Sequence, residues 1–264
     1  MILKKYALKL GKTLGAIAFW VALWFIIARI VDLELIIPSP LSVLSSLWRL
    51  LRTADFWIST SFSFARVIVG VGISFVIGCA MACLCWRSKI LNALFSPLLS
   101  IIKSTPVASF IIIAWLWFDT SALPIFISSL IVIPIITANL SQGIASVDRE
   151  MIEVARVYRL PLFKRLFKLY IPSVAPYFLA ACKSSLGMAW KASVAAELIV
   201  LSKNSIGREI YNSKLMLETS DVFAWTVVII VLSIVAEKLL VLLLNYIGRA
   251  ARLFPKEGET YAEA

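Results

Sequence analysis

The amino-acid sequence predicts an all-α, polytopic membrane protein with six transmembrane helices and one long helical loop on the cytoplasmic side. Two observations lead to this prediction. Hydrophobic residues make up 61% of the 264 positions and charged residues only 16%, whereas a soluble domain keeps roughly a quarter of its residues charged. The mean hydropathy is +0.94, and the apolar residues are gathered in windows of about 20, the length that an α-helix needs to cross a bilayer.

The predicted helices follow one another along the chain. The first window, 14–31, comes after four lysines and is too long for a signal-peptide core, so we expect an anchor helix. In the stretch 33–57, Pro38 and Pro40 break the chain, and leucines then recur at helical spacing among polar residues. This pattern indicates an amphipathic helix on the membrane surface. Five more spans are predicted at 61–86, 90–118, 123–144, 173–200 and 222–247.

The distribution of basic residues predicts the orientation. The chain has 26 Lys and Arg against 15 Asp and Glu. If the N-terminus is cytoplasmic, the inner segments hold roughly three times as many basic residues as the outer ones, which favours both termini inside the cell. The positive charge is then a signal of topology, and no nucleic-acid partner is expected. Three units are predicted: an anchor helix with an outer amphipathic segment (1–58), a transmembrane domain (59–248) and a cytoplasmic tail (249–264).

Composition also excludes several kinds of chemistry. The absence of histidine rules out Ser-His-Asp and Cys-His catalysis and histidine-ligated metals. The four cysteines all fall inside apolar stretches without metal-like spacing, so we interpret them as small core residues: Cys79, Cys83, Cys85 and Cys182. The sequence therefore predicts a chain that is not an enzyme and holds no metal.

A polar loop separates the fourth and fifth predicted spans. It covers the 28 residues 145–172. Apolar positions within 151–158 suit a short helix that Pro161 bounds, and a second helical pattern covers 162–170. The result is a predicted cytoplasmic helix-turn-helix. An amphipathic helix that protrudes in this way suits docking into a groove of another protein.

Residues in and around this loop resemble a known family. The run Glu153-Val154-Ala155 and the closing Pro172, nineteen residues after Glu153, are similar to the EAA loop of the membrane subunits of bacterial ABC importers. From 61 to 248 the chain resembles the integral-membrane domain of that family. Further motifs stand in the order expected for the branch that imports nitrate, sulfonate, taurine and pyrimidine precursors, namely those at 38–40, 103–106, 115–118 and 190–197.

The resemblance implies a transporter assembled from several subunits in a bacterial cytoplasmic membrane. It implies two copies of this chain, two ATPase subunits that bind ATP and Mg, and a periplasmic or lipid-tethered substrate-binding protein. The chain has no GxxxxGK[ST] phosphate loop, so ATP hydrolysis is expected in a partner and no cofactor is expected here. The resemblance assigns coupling to the ATPase to Glu153, Ala155, Arg156, Tyr158, Arg159, Pro161 and Pro172.

The loop departs from the family pattern at Arg159, where the family has glycine. Val154 likewise replaces an alanine. Glycine adopts positive φ without strain and lets the chain turn away from a helix, whereas arginine does so at a cost. We therefore expect the turn one or two residues later, at Leu160-Pro161, with Arg159 facing a partner subunit.

Lysines inside predicted spans are candidates for a substrate path. Lys103 lies near the middle of the predicted third span, and Lys183 lies within the fifth. A charge inside the membrane is costly and usually faces a cavity or a partner. The two ammonium groups could attract an anionic substrate such as a sulfonate or a carboxylate. Alternatively, each pairs with a carbonyl that proline leaves exposed, or with a buried acid.

The fifth span extends this polar face. Lys183, Gly187 and Lys191 recur every four residues and so share one side of a helix. Further along, Trp190, Lys191 and Glu197 approach the outer surface, where Lys191 and Glu197 could form an ion pair or line an outer gate. The candidate substrate path comprises Lys103, Lys183, Trp190, Lys191 and Glu197.

Two other classes of function fit the sequence less well than an importer subunit. An ion-coupled secondary transporter could use Lys103, Lys183 and Glu197 as relay charges, but such proteins usually have more spans and inverted repeats. An intramembrane enzyme would need clustered carboxylates or histidines. The resemblance implies that the substrate is a sulfonate, taurine, nitrate or a pyrimidine-like compound.

Overall fold

The prediction of an all-α protein is confirmed. The structure is a computed structural model that describes residues 2–250, with the side chains at 2–10, 12, 13, 162, 245 and 247–250 left undescribed, and no strand occurs among these residues. The helices are α1 Ile2–Val31, α2 Pro40–Leu50, α3 Ala54–Arg87, α4 Lys89–Ser104, α5 Val107–Ala114, α6 Leu123–Ala145, α7 Arg149–Val157, α8 Leu162–Arg165, a π-helical turn Leu166–Tyr170, α9 Ile171–Val200, α10 Ile206–Leu215 and α11 Thr219–Ala250.

Helix α6 forms the centre of the bundle and packs most extensively against α9 and α3. The approach to α3 is close because Gly70 has no side chain, and a Cβ there would overlap Ser128 Oγ. A side-chain hydroxyl forms a hydrogen bond to the backbone across this contact, because Ser129 Oγ donates to the Gly70 carbonyl over 3.0 Å. Small residues of this kind allow helices to pack tightly inside a membrane.

Four of the described helices are long and apolar enough to cross a membrane, and a bent pair, α4 with α5, raises the number to five. The predicted count of six additionally requires α9, which is 30 residues long but carries Lys183, Lys191 and Glu197. Six spans therefore stay a prediction. The four helices that are long and apolar enough to cross a membrane already indicate a multi-pass membrane protein.

The predicted third span, 90–118, is not one continuous helix. Helices α4 and α5 meet at an angle of 104°. The break lies at Thr105, which adopts extended backbone angles (φ −81°, ψ 136°) before Pro106. Proline disfavours the helical conformation at the residue that precedes it, and here this coincides with the bend. Lys103 consequently lies in the exposed last turn of α4 rather than in the middle of a straight span.

Helix α3 begins seven residues before the predicted position 61. Thr53 caps it, with Oγ1 accepting a hydrogen bond from the Phe56 amide at 3.3 Å. The predicted amphipathic element within 33–57 is thereby reduced to α2, which packs against α11. The predicted unit boundary between 58 and 59 falls inside α3, and the tail 251–264 lies outside the described residues.

The second arm of the predicted helix-turn-helix is the beginning of α9. The chain remains helical from α8 through the π-helical turn into α9. Pro172 lies in the first turn of α9 and so does not end a helix, contrary to the prediction. Proline lacks the amide that would bond to the preceding turn, and the regular α-helical bonding is interrupted directly before it, in the π-helical turn Leu166–Tyr170.

Candidate functional site

The surface of α7 forms the first part of the site. Asp148 caps this helix, with Oδ1 accepting from the Glu150 amide at 2.9 Å. Ala155 faces inward and is 4% exposed. The rest of its surface combines charged side chains with large apolar ones, and the exposed residues on α7 and in the turn that follows include Met151, Glu153, Val154, Arg156, Val157, Tyr158 and Arg159. Exposed apolar residues concentrated on a short protruding helix mark a surface for binding another protein.

The turn after α7 is made at Arg159 itself, which has a φ of +47°. The prediction that the turn would move to Leu160-Pro161 is therefore wrong. The Leu160 amide donates to the Ala155 carbonyl and the Arg159 amide to the Arg156 carbonyl, both over 3.0 Å. These two bonds form a Schellman motif, which satisfies carbonyls at the helix end and offsets the left-handed conformation of an arginine.

A second contact ties this turn to the helix that follows. Arg165 Nε donates to the Leu160 carbonyl over 2.9 Å. Arg165 lies in α8, and α8 continues through the π-helical turn into α9. Pro161 stands between the turn and α8, and its carbonyl accepts from the Arg165 amide at 3.1 Å. The loop is thus joined to α9 by helical backbone and hydrogen bonds.

A polar face of α9 forms the second part of the site. Lys183 and Lys191 are exposed and Gly187 is half-buried between them, as their spacing predicts. Among the described side chains, neither lysine forms an ion pair. Lys103 lies on α4, which packs against α3 and α6. The structure therefore joins Lys183 with Lys191 on one face but provides no contact between them and Lys103.

Glu197 and Trp190 lie in the interior of the chain, which differs from their predicted place on a substrate path. Trp190 is 1% exposed and packs edge-on against Phe64, with ring centroids 6.0 Å apart. Glu197 is completely buried, and its partner is Arg66 at 3.1 Å rather than Lys191. The ion pair between Lys191 and Glu197 that the sequence analysis considered is therefore not formed within the chain.

Arg66 and Ser63 are the residues that the sequence analysis missed. Ser63 Oγ donates to Glu197 Oε2 over 2.8 Å, and Arg66 donates to the carbonyls of Lys203 (2.8 Å) and Asn204 (3.3 Å). The sequence did contain a signal for Arg66, because it is a charge inside an apolar span, like Lys103 and Lys183.

Among the described residues, no group of His, Cys, Asp and Glu could hold a metal ion.

Comparison with known proteins identifies the family. Residues 74–252, more than half of the chain, match the family described as the inner membrane component of binding-protein-dependent transport systems. The chain belongs to this family. It is the membrane-embedded permease component of an ABC importer, a transport component rather than a catalyst.

Several permeases of this kind are similar to the chain over most of its length. SsuC of Bacillus subtilis, named as a transport permease for aliphatic sulfonates, is 25% identical over 85% of this chain and 81% of the relative. The bicarbonate transport permease CmpB of Synechococcus elongatus is 26% identical over 74% of this chain and 70% of the relative. The nitrate import permease NrtB of Synechocystis is 27% identical and covers 74% of each chain.

A solved structure has the same fold. It is the crystal structure of an amino acid ABC transporter with histidines, and it superposes with a TM-score of 0.55 over 71% of this chain and 90% of that one. The sequence identity is 17%, so the likeness concerns the fold alone. The arrangement of helices in this permease is therefore one that a solved ABC transporter shares.

Proposed function

We propose that two copies of this permease form the path by which an ATP-driven importer carries a small anion across the bacterial cytoplasmic membrane. The observation that carries the proposal is the exposed face of α9 with Lys183 and Lys191. Lysines on a membrane helix require water or a counter-charge. The three relatives named for aliphatic sulfonates, bicarbonate and nitrate transport all have anionic substrates, which supports an anion as that counter-charge.

A second copy of the chain completes the path. A single bundle leaves the lysine face of α9 uncovered, and two copies related by a two-fold axis would place two such faces opposite each other. Most of the described side chains of α1 are also exposed, and Trp24 Nε1 donates to the Pro38 carbonyl over 3.1 Å. Lipid or the second copy covers this helix in the assembled transporter.

The proposed mechanism is a lever that starts at α7. Two ATPase subunits, which bind ATP and Mg, contact the exposed surface around Glu153 and Tyr158 on the cytoplasmic side. When they close, they displace α7. The Schellman turn at Arg159 and the bond from Arg165 to the Leu160 carbonyl pass this displacement to α9. A rigid helix then moves the face that carries Lys183.

In the proposed orientation, which the distribution of basic residues supports, both termini lie in the cytoplasm and the connection around α10 lies outside. There a periplasmic or lipid-tethered binding protein delivers the substrate. A relay by Glu197, as in a secondary transporter, finds no support because this carboxylate is already paired with Arg66.

Reconstitution of the complete transporter in vesicles tests the proposal. Uptake of labelled nitrate, bicarbonate, taurine and an alkyl sulfonate is measured with ATP, without ATP and with an imposed ion gradient. We expect uptake of one of these anions that requires both ATP and the binding protein. Uptake driven by the ion gradient without ATP would contradict the proposal and favour a secondary transporter.

A further inference from the structure

A large apolar cavity lies outside the proposed substrate path. It has a volume of about 850 Å³ and opens between the end of α3, the end of α6 and the segment that leads into α9. Its walls are almost entirely apolar, and they include Cys83, Trp86, Ile144, Phe163, Tyr170 and Phe178. An apolar void offers water few hydrogen-bond partners, and an empty one forfeits dispersion contacts, so an apolar occupant is favoured.

The rim of this cavity has the features of a membrane interface. Trp86 precedes the last residue of α3, and its ring lies edge-on to that of Tyr170 with centroids 5.3 Å apart. Tryptophan and tyrosine concentrate at the level of lipid headgroups. Two basic residues, Arg87 and Lys89, lie within three positions after Trp86. The cavity therefore extends from the headgroup level along α3 towards Cys79, at the depth of lipid acyl chains.

Arg165 supplies a positive charge in this otherwise apolar lining. It is the charged residue among the described residues that line the cavity. Its Nε is engaged by the Leu160 carbonyl, which fixes the guanidinium and leaves its two terminal nitrogens for another acceptor. The ion pairs found among the described side chains involve Arg49 and Arg66, not Arg165. A phosphate group matches such a guanidinium in charge and in bidentate geometry.

We propose that this cavity binds an anionic phospholipid, with its acyl chains between Trp86, Phe163 and Phe178 and its phosphate on Arg165. Basic pockets between transmembrane helices on the cytoplasmic side bind lipids of this charge. The assignment to the cytoplasmic leaflet rests on the topology of the proposed function.

The site has a consequence for the loop. Arg165, Phe163 and Tyr170 belong to the segment that joins α7 to α9. A bound lipid would therefore hold this segment against the ends of α3 and α6. Occupancy of the cavity would stiffen the connection through which α7 moves α9.

Native mass spectrometry tests the charge recognition directly. The assembled full-length protein is purified in detergent with equal amounts of phosphatidylglycerol and phosphatidylcholine, and the bound lipids are counted. We expect retention of phosphatidylglycerol, a loss of at least fivefold in Arg165→Gln, and partial recovery in Arg165→Lys. The matched control is Lys164→Gln, which removes the same charge one residue away and outside the cavity lining. Equal retention in Arg165→Gln and Lys164→Gln overturns the proposal, as does equal binding of both lipids by the unaltered protein.

A second pair of variants tests the cavity itself. Cys83→Trp fills the void from an exposed wall position, and Leu84→Trp adds the same ring on an exposed neighbour outside the lining. We expect Cys83→Trp to lose the retained phosphatidylglycerol and Leu84→Trp to keep it. Unchanged retention in Cys83→Trp overturns the proposal. A photo-crosslinker at position 83 that joins two copies of the chain instead of lipid also overturns it. These readouts involve no transport, so their failure would leave the proposed function standing.

Discussion

Arg66 Nη1 donates to Glu197 Oε1 over 3.1 Å, and both side chains are buried between α3 and α9. Ser63 Oγ and the Gly207 amide donate to the other oxygen of the carboxylate, at 2.8 and 3.3 Å. Because Arg66 also binds the backbone of the loop before α10, the pair fastens three parts of the chain at one point. A buried charge that is fully paired in this way becomes costly when its partner is removed.

Removal of either partner should strongly destabilise the fold. Glu197→Ala or Arg66→Met is expected to lower the free energy of unfolding by about 3–5 kcal/mol, because each leaves an uncompensated buried charge. Denaturation in mixed micelles measures this difference. The double variant should lose much less free energy of unfolding than the two single variants lose together. Lys191→Met, an exposed change on α9, serves as the control and should stay within about 0.5 kcal/mol. A loss below that value in Glu197→Ala would show that the pair does not stabilise the fold.

Glycine at position 159 should stabilise the loop. Arg159 has positive φ, which costs an L-residue roughly 1–2 kcal/mol. Glycine avoids this cost but loses more backbone entropy on folding, roughly 0.5–1 kcal/mol. Arg159→Gly is therefore expected to raise the free energy of unfolding slightly, and Arg159→Val to lower it. Hydrogen exchange of the Leu160 amide provides a local measurement. Faster exchange in Arg159→Gly than in the unaltered protein would contradict the strained turn.

Reversal of charge on α7 should uncouple the transporter without unfolding it. Glu153 is exposed, so Glu153→Lys should leave the free energy of unfolding within about 0.5 kcal/mol. It should abolish substrate-stimulated ATP hydrolysis in the reconstituted complex, because it reverses the charge in the proposed contact. Glu153→Asp, which keeps the charge at the same position, is the control and should retain coupling. Normal coupling in Glu153→Lys would refute the role of α7.

Glu209 should make stability depend on pH. It lies on α10, outside the membrane-spanning segments, and burial raises the pKa of its carboxyl, aided by nearby Asp55. The folded state therefore favours the protonated form. Its contribution to stability is complete below the pKa of the unfolded chain and is lost as the pH rises through the higher folded pKa.

Glu209→Gln removes this dependence. The variant should be more stable than the unaltered protein at neutral pH, and the difference should vanish as the pH falls below the ordinary range of a glutamate. Unfolding measured across that pH range checks the prediction. Ser59→Ala is a useful comparison, since Ser59 Oγ donates to Glu209 Oε1 over 3.4 Å and its removal should raise the pKa of Glu209 further. A difference that grows on acidification would contradict the assignment.

Patterns of short range predicted much of this fold. The apolar window at 123–144 gave α6 to within one residue, and the four-residue spacing placed Lys183 and Lys191 on one exposed face of α9. Pro106 was visible in the sequence, but hydropathy alone could not decide that α4 and α5 would bend apart there, because proline can also be accommodated within a span.

Contacts between distant residues could not be predicted in this way. Arg66 and Glu197 are 131 residues apart in the chain, and only the packing of α3 against α9 pairs them. The turn at Arg159 was mispredicted for a local reason. The low propensity of arginine for positive φ argued against a turn there, but the two hydrogen bonds of the Schellman motif outweigh that preference.

In the proposed transporter, an anion passes the lysine face of α9 only when ATP is hydrolysed. Initial rates of ATP-dependent uptake by vesicles that contain the Lys183→Met, Lys183→Arg or Ser184→Ala variant measure what this face contributes. We predict at least a tenfold loss of anion uptake in Lys183→Met, partial retention in Lys183→Arg and no change in Ser184→Ala, with equal stability in all three. Full uptake by Lys183→Met would contradict the account.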